Sequence, residues 1–147
     1  MIVLRKARST DAGAVGAILS EFVDTTDWMP RIHTRAEDLA HAGAMIARGW
    51  VTVAELDSGV AGFAAQDGKD LDALYVRAAL RGQGIGSMLL SHIKKDSELI
   101  ELWTFQANRK AQDFYVKHGF TELRRTDGGA NDERLPDIRF QWKREAA

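Results

Sequence analysis

The residues best suited to chemistry lie around a glycine-rich segment near the middle of the chain. Residues 81–86 (RGQGIG) follow a strand-like run at 71–76 and lead into a helix-like run at 87–93. Glycines at alternate positions let backbone N–H groups approach a ligand closely, because no Cβ shields them. At a helix N-terminus, those donors and the helix dipole stabilise an anion such as pyrophosphate. The segment therefore predicts a site for a phosphate-bearing cofactor.

Two common nucleotide-binding loops do not fit this segment. A Rossmann loop requires G-x-G-x-x-G, but its third glycine position is Ser87 counted from Gly82 and Leu89 counted from Gly84. The P-loop pattern G-x-x-x-x-G-K-[ST] is absent. A glycine-rich turn without a ligand is the remaining alternative. It is disfavoured because the first turn of the predicted helix contains no acidic residue.

Composition narrows the functional classes of this 147-residue chain. Its 45% hydrophobic and 28% charged content is typical of a globular protein, and its length suits one domain over residues 1–147. A net charge of −1 predicts no nucleic-acid partner, and no apolar run is long enough to span a membrane. The chain has no cysteine, and its 4 histidines lack metal-site spacing, so we expect no metal. Its N-terminal apolar run is too short for a secretory signal, and we expect a cytoplasmic location.

Hydrophobic periodicity predicts the elements that must position these residues. Strands are predicted over residues 2–7, 50–56, 60–66, 71–76, 99–105, 120–125 and 138–142. Helices are predicted over residues 11–24, after the capping box at Thr34 and Glu37, from 85 onward and over 108–118. Short connections between the second, third and fourth strands imply an antiparallel meander. We therefore expect a mixed α/β domain whose central, mostly antiparallel sheet has about seven strands and about four helices.

Three blocks of this sequence resemble the GNAT superfamily of N-acetyltransferases. Arg81, Gly84 and Gly86 fill the fixed positions of the family signature Gln/Arg-x-x-Gly-x-Gly/Ala. Residues 102–108 (LWTFQAN) and 111–120 (AQDFYVKHGF) match the family's later segments, and the order of elements agrees over nearly the whole chain. The resemblance implies a sheet whose fourth and fifth strands splay apart around acetyl-CoA.

The resemblance also implies which residues bind acetyl-CoA. Backbone N–H groups of the glycine loop would bind the pyrophosphate, and exposed backbone on the fourth strand would pair with the pantetheine arm. Asn108 would contact the cofactor from the other side, although a plain helix N-cap is an equally open interpretation. The predicted cofactor-binding residues are Leu74, Tyr75, Val76, Arg81, Gly82, Gln83, Gly84, Ile85, Gly86, Ser87, Asn108, Ala111, Phe114 and Tyr115.

Acetyl transfer to an amine needs two proton movements. A free alkylamine has a pKa around 10.4 and must be neutral to attack, while the departing thiolate benefits from a nearby acid. Tyr115 matches the family tyrosine that donates this proton; an aromatic core residue is the alternative. Asp72 and Glu101 are the candidate bases, with exposed strand carboxylates as the alternative. Because cysteine is absent, an acyl-enzyme on sulfur is excluded, and direct attack in a ternary complex is favoured.

The acceptor side should be formed by the first two helices, their loop, and the loop before the last strand. Its predicted substrate-binding residues are Trp28, His33 and Glu133, of which Glu133 would suit a cationic amine. We expect an acetyl-CoA-dependent N-acetyltransferase acting on a primary amine of a small molecule or peptide, with a homodimer as an open alternative to a monomer. The alternative function is a catalytically silent acyl-CoA-binding or regulatory module on the same fold.

Overall fold

A seven-stranded sheet forms the centre of the computed structural model, which describes residues 1–146. The strands are β1 (Val3–Lys6), β2 (Val51–Leu56), β3 (Gly59–Asp67), β4 (Asp70–Val76), β5 (Leu99–Phe105), β6 (Thr121–Thr126) and β7 (Asp137–Lys143). Within residues 1–146 the α-helices are α1 (Ala12–Asp24), α2 (Arg35–Ala47), α3 (Ile85–Lys95) and α4 (Arg109–Lys117). The predicted α/β class, the seven strands and the four helices are confirmed, and every predicted strand end lies within one residue of the observed end.

The spatial order of the strands is β1-β2-β3-β4-β5-β7-β6, and every neighbouring pair is antiparallel except β4 and β5. Short turns join β2 to β3 and β3 to β4, which confirms the predicted meander. The capping box before α2 is also confirmed, because the Glu37 N–H donates to Thr34 Oγ1 (3.1 Å) and the Thr34 N–H donates to Glu37 Oε1 (2.9 Å). None of the helices in residues 1–146 combines the length and apolarity required to cross a bilayer.

Apolar side chains pack on both faces of the sheet. On one face, α1 and α2 bury Val15 and Met45 against Phe63 of β3. On the other, α3 and α4 enclose a cluster that includes Leu89 and Ile100. Strand β3 is covered on both faces, which explains why its sequence is a nearly continuous apolar run. The two helix pairs therefore define two sides of the molecule, one at the glycine loop and one at the loop between α1 and α2.

The parallel neighbours β4 and β5 meet at one end only. Their register contains the single pair Asp70 and Glu101, and the Glu101 N–H donates to the Lys69 carbonyl at 2.8 Å. Beyond this point the strands diverge toward their C-terminal ends, which confirms the predicted splay and leaves a cleft in the sheet.

The pairing of β3 with β4 determines which backbone groups face this cleft. The Arg77 N–H donates to the Ala61 carbonyl at 2.8 Å, so by antiparallel alternation Tyr75 also bonds toward β3. Leu74 and Val76, at the intervening positions, direct their N–H and C=O groups into the cleft. The Val76 carbonyl accepts from Arg81 Nε (3.2 Å), and the other groups of this edge face anything that enters between β4 and β5.

Candidate active site

The glycine loop lies between the end of β4 and the start of α3, next to the cleft. Gly84 is the N-cap of α3 and has φ +85°, while Gly82 has φ +77°. A Cβ added at either glycine would meet no atom within 4 Å, so these positions need glycine for its backbone conformation, not for space. The first turn of α3 contains no acidic residue, and its free N–H groups are available to an anion.

Two hydrogen bonds hold the start of this loop in place. Arg81 Nε donates to the Val76 carbonyl at 3.2 Å, which joins the loop to the end of β4. The Ala78 N–H donates to Glu21 Oε1 at 2.7 Å, so α1 contacts the short 3₁₀ turn (Ala78–Leu80) that precedes the loop. No local sequence pattern predicts the contact of Glu21, because its partner lies far along the chain.

Helix α4 forms the opposite wall of the cleft. Asn108 caps this helix by accepting the Ala111 N–H at Oδ1 (3.1 Å), which confirms the N-cap interpretation and leaves its amide nitrogen outside the cap. The ring of Phe114 would lie 3.5 Å from a Cβ placed on Gly86, so α4 packs directly on the first turn of α3. His118 Nε2 lies 3.0 Å from the Ser87 hydroxyl and adds a polar contact between the same two helices.

Tyr115 lies on the inner face of α4, within an aromatic cluster. Its ring centroid is 5.2 Å from that of Phe114 and 5.3 Å from that of Phe120, and 8% of the residue is exposed. Burial raises the pKa of the Tyr115 hydroxyl, and the nearby phenol of Tyr75 raises it further. The hydroxyl therefore stays protonated at neutral pH, which is the form that a proton donor requires.

Tyr75 belongs to the opposite side of the sheet. It packs against Phe22 of α1 (5.0 Å between centroids) and Phe63 of β3 (6.0 Å). Burial, followed by the Glu133 carboxylate, raises the pKa of Tyr75 to about 12. Glu133 thus affects the pKa of Tyr75 and Tyr75 affects the pKa of Tyr115, which indicates that Tyr75 lies between the other two side chains.

A cavity of about 600 Å³ lies beside Tyr75 on the α1 and α2 side. Its apolar wall includes Phe22 and Phe105, and carboxylates from α2 and the β6–β7 loop lie at its other walls. His33 and Glu133 both line this cavity, so the structure brings these two predicted residues together. Trp28 lies behind the wall, with its ring 6.3 Å from Phe22 and 5.7 Å from Phe105.

His33 lies between two walls of the cavity. Its Nδ1 is 3.7 Å from Glu37 Oε2 on α2, and its Nε2 is 3.9 Å from Asp132 Oδ2 on the β6–β7 loop. Glu37 and Asp132 also line the cavity, although no pattern in the sequence indicates this role. Among residues 1–146, no three His, Asp or Glu side chains form a cluster able to hold a metal ion.

Arg31 fixes the loop between α1 and α2. Its guanidinium donates to Asp24 (2.8 and 3.0 Å), to Asp38 (3.1 Å) and to the carbonyls of Ser20 (3.0 Å) and His33 (2.9 Å). This one side chain therefore neutralises two carboxylates and holds the cavity wall against both helices. Arg31 could not be identified from the sequence, because an arginine in a polar loop carries no distinguishing pattern.

The two candidate bases lie outside the walls of this cavity. Asp72 is the extra residue of a β-bulge, since Ala73 pairs with Ala65 while Leu71 pairs with the next residue, Gln66. Asp72 is an exposed strand residue, and partial desolvation is the main cause that raises the pKa of its carboxyl, with nearby acidic groups second. A carboxylate with a raised pKa is the stronger base of the two candidates.

Glu101 lies in a hydrogen-bonded network on β5 and β7. It accepts from Gln141 Nε2 (2.8 Å) and from Arg139 (2.9 and 3.1 Å), and these bonds hold the pKa of the Glu101 carboxyl below its ordinary value. This environment stabilises the anion and makes the carboxylate a weaker base. The assignment of a base to Asp72 or Glu101 stays a prediction.

Comparison with known proteins connects this geometry to a family. The model of the acetyltransferase (GNAT) domain matches residues 47–122. Peptidyl-lysine N-acetyltransferase YjaB of Salmonella typhimurium is 32% identical over 129 residues, covering 86% of this chain and 88% of that protein. YjaB of Escherichia coli is 31% identical over 129 residues, covering 86% of this chain and 87% of that protein.

Solved structures share the fold. Apo YjaB from Escherichia coli has a TM-score of 0.80 at 24% identity, with 96% of this chain and 97% of that chain covered. The putative acetyltransferase YncA from Salmonella typhimurium, solved with acetyl-CoA, has a TM-score of 0.76 at 23% identity, with 100% and 97% covered. The family match across half of the chain and the identity to YjaB over most of its length show that this chain belongs to the GNAT acetyltransferase family.

Proposed function

We propose that this protein is an acetyl-CoA-dependent N-acetyltransferase that transfers the acetyl group directly to a primary amine. The observation that carries the proposal is the cleft between β4 and β5. Leu74 and the Val76 N–H present backbone groups without a sheet partner at one edge of this cleft, and Tyr115 lies on the helix that forms its opposite wall. Bound acetyl-CoA supplies the activated acetyl thioester.

The residues around the cleft fit a coenzyme A ligand. The left-handed Gly82 and Gly84 open the backbone of the loop, and the first turn of α3 offers N–H donors to a pyrophosphate. The free edge at Leu74 and Val76 matches the amides of a pantetheine arm, which can pair with it as an added strand would. Asn108 and Phe114 would bind from the α4 side.

Two groups of the protein would handle the protons. Tyr115 would donate a proton to the departing sulfur, because its hydroxyl is protonated at neutral pH and lies on the wall of the cleft. Asp72, or less favourably Glu101, would remove a proton from the acceptor ammonium through water, because both carboxylates lie outside the walls of the cavity.

The acceptor would bind in the cavity beside Tyr75. The two YjaB relatives are named peptidyl-lysine N-acetyltransferases, and we propose a lysine side chain of a peptide or protein as the acceptor. Its apolar stem would lie along Phe22 and Phe105, and its ammonium would be attracted by Glu133 and Asp132. His33 and Trp28 would shape the entrance and the wall.

Calorimetry and an assay of thiol release test the proposal. We expect acetyl-CoA and CoA to bind with micromolar affinity, ATP and NAD to bind at least tenfold more weakly, and lysine peptides to release thiol in the presence of acetyl-CoA. No acetyl-CoA binding at millimolar concentration would overturn the proposal. Binding without thiol release from any of a broad panel of amines would favour the silent acyl-CoA-binding module.

A further inference from the structure

Half of one sheet face is left without a helix. Helices α1 and α2 cover β3 and β4, and none of the core residues on their side of the sheet comes from β5, β6 or β7. Trp103 of β5, which lies on this face, is 45% exposed, and Thr121 and Lys143 on the same face are exposed. A half-exposed tryptophan on an open strand face is unusual, because tryptophan is highly buried on average.

Three strands place cross-strand partners side by side on this face. Trp103 pairs with Arg139 of β7, and Arg139 pairs with Arg124 of β6, so the three side chains form one row. Both guanidinium carbons lie over the indole ring, at 5.2 Å for Arg124 and 5.3 Å for Arg139. Tryptophan and arginine are the residue types that dominate binding energy at protein interfaces.

The charges of this row are not balanced. Arg139 is buried and hydrogen-bonded to Asp70 (2.7 Å) and Glu101 (2.9 Å), so its charge is neutralised. Arg124 has no carboxylate within 4.0 Å among residues 1–146, and Lys143 at the far end of the same face has none either. The exposed cations on this face are therefore free to meet an acidic partner.

The row adjoins the acceptor cavity. Phe105, which lines the cavity, points to the same face of β5 as Trp103 two residues earlier, about 7 Å away along the strand. Arg124 lies two strands from β5, about 10 Å to the side. An extended peptide with its lysine in the cavity would reach this row with a side chain three to five residues from that lysine.

We propose that the face of β5, β7 and β6 around Trp103 and Arg124 docks an acidic segment of the polypeptide that carries the acceptor lysine. This inference rests on the proposed function and specifies its acceptor as a polypeptide with carboxylates three to five residues from the lysine. Trp103 provides the apolar contact, and Arg124 provides the charge.

Two peptides test the inference. Each has one central lysine in a glycine and serine background. The third, fourth and fifth residues on each side of the lysine are glutamate in one peptide and glutamine in the other. We expect the glutamate peptide to bind about fivefold more tightly by calorimetry and to have a proportionally higher kcat/KM. The ratio of the two affinities should fall at 0.5 M salt, because salt screens exposed charge pairs.

Substitutions at Arg124 and Trp103 test whether these residues produce the preference for the glutamate peptide. Arg124→Gln and Trp103→Ala should remove most of the advantage while leaving kcat/KM for a small amine, Nα-acetyl-lysine amide, unchanged. Arg125→Gln is the matched control, since it removes the same charge from the neighbouring residue of β6, which pairs with Ile138 and faces the other side. It should leave the advantage intact.

Equal affinity of the wild-type protein for the two peptides would overturn the inference, as would an advantage that persists in Arg124→Gln. Either result leaves acetyl-CoA binding and acetylation of the small amine untouched. Failure of the proposed function would instead remove acetyl-CoA binding itself, so the two failures are distinguishable.

Discussion

At the scale of single residues, the chemistry depends most on the hydroxyl of Tyr115. Tyr115→Phe removes only that hydroxyl and keeps the ring that packs against Phe114 and Phe120. We expect kcat to fall about 10²- to 10³-fold, within the range for loss of a general acid, while the affinity for acetyl-CoA changes less than about twofold. Thiol release and calorimetry measure the two quantities.

Tyr75→Phe is the matched control for Tyr115→Phe, because Tyr75 is also a phenol with a raised pKa but lies beside the acceptor cavity. We expect it to change KM for the amine more than kcat. Unchanged kcat in Tyr115→Phe would show that Tyr115 is only a core residue.

The two candidate bases should respond differently to loss of charge. Asp72→Asn removes a carboxylate whose pKa is raised, so we expect kcat/KM to fall at least about tenfold and to lose its rise with pH through the acidic range. Glu101→Gln alters a carboxylate bonded to Arg139 and Gln141, so we expect mainly a lower melting temperature. A pH profile unchanged in Asp72→Asn and altered in Glu101→Gln would reverse this assignment.

At the scale of elements, the donor loop should depend on the conformation of Gly84. An aspartate there would be strained at φ +85° and would place a negative charge at the N-terminus of α3, where the proposed pyrophosphate binds. We expect Gly84→Asp to weaken acetyl-CoA binding at least about 100-fold. Gly49→Asp is a close control, because Gly49 has φ +77° and equally open surroundings in a different turn.

The two glycine variants should lose similar stability, since the backbone strain is alike. Gly49→Asp should nevertheless bind acetyl-CoA within about twofold of the wild type. Tight binding by Gly84→Asp would exclude the loop as the pyrophosphate site.

Helix α1 should also affect donor binding, through Glu21. Its carboxylate accepts the Ala78 N–H just before the donor loop. Glu21→Ala leaves that N–H unpaired, and we expect acetyl-CoA to bind about three- to tenfold more weakly. Glu21→Gln keeps an oxygen acceptor and should bind nearly as well as the wild type. Equal affinities of the alanine variant and the wild type would show that α1 does not influence the loop.

The elements themselves could be predicted well from the sequence. Alternation and helical spacing are local signals, and they located the seven strands to within one residue. The β-bulge at Asp72, the bond between Glu21 and Ala78, and the approach of Glu133 to Tyr75 could not be predicted in this way. Each depends on register or on side chains that lie far apart in the chain. For the same reason the loop residues Trp28, His33 and Glu133 could be proposed as a set, but not their arrangement.

At the scale of the whole molecule, ion pairs that join distant segments should make stability depend on pH. Arg5 of β1 bonds the Asp11 carboxylate (2.8 and 3.1 Å) and Glu55 of β2 (2.8 Å). Hydrogen bonds from Arg5 are the first cause that lowers the pKa of both carboxyls. A carboxyl group whose pKa is lowered by folding stabilises the fold at a pH above its ordinary pKa. This contribution is lost as the pH falls through the pKa of the folded state.

Arg5→Met should therefore destabilise the protein most at neutral pH. Arg5 and Asp11 side chains are 16% and 10% exposed, and loss of such a hydrogen-bonded pair should lower the free energy of unfolding by about 1–2 kcal/mol at pH 7. Below the ordinary carboxyl pKa of about 3.8 the difference from the wild type should shrink, because unfolded Asp11 takes up a proton that folded wild-type Asp11 accepts only at lower pH. Urea unfolding at pH 7, 5 and 3 measures this change.

Arg125→Met provides the comparison for that series. Arg125 pairs with Glu122 within a single strand at the edge of the sheet, and both side chains are largely exposed. Such a pair contributes little to stability, so we expect this variant to unfold like the wild type at each pH. If Arg5→Met were equally destabilised at pH 7 and pH 3, its effect would come from lost packing around the guanidinium stem. The contribution of Arg5 to stability would then come from apolar packing. The loss of stability in acid would come from other carboxylates, of which Asp70 and Glu101 around Arg139 are the next candidates.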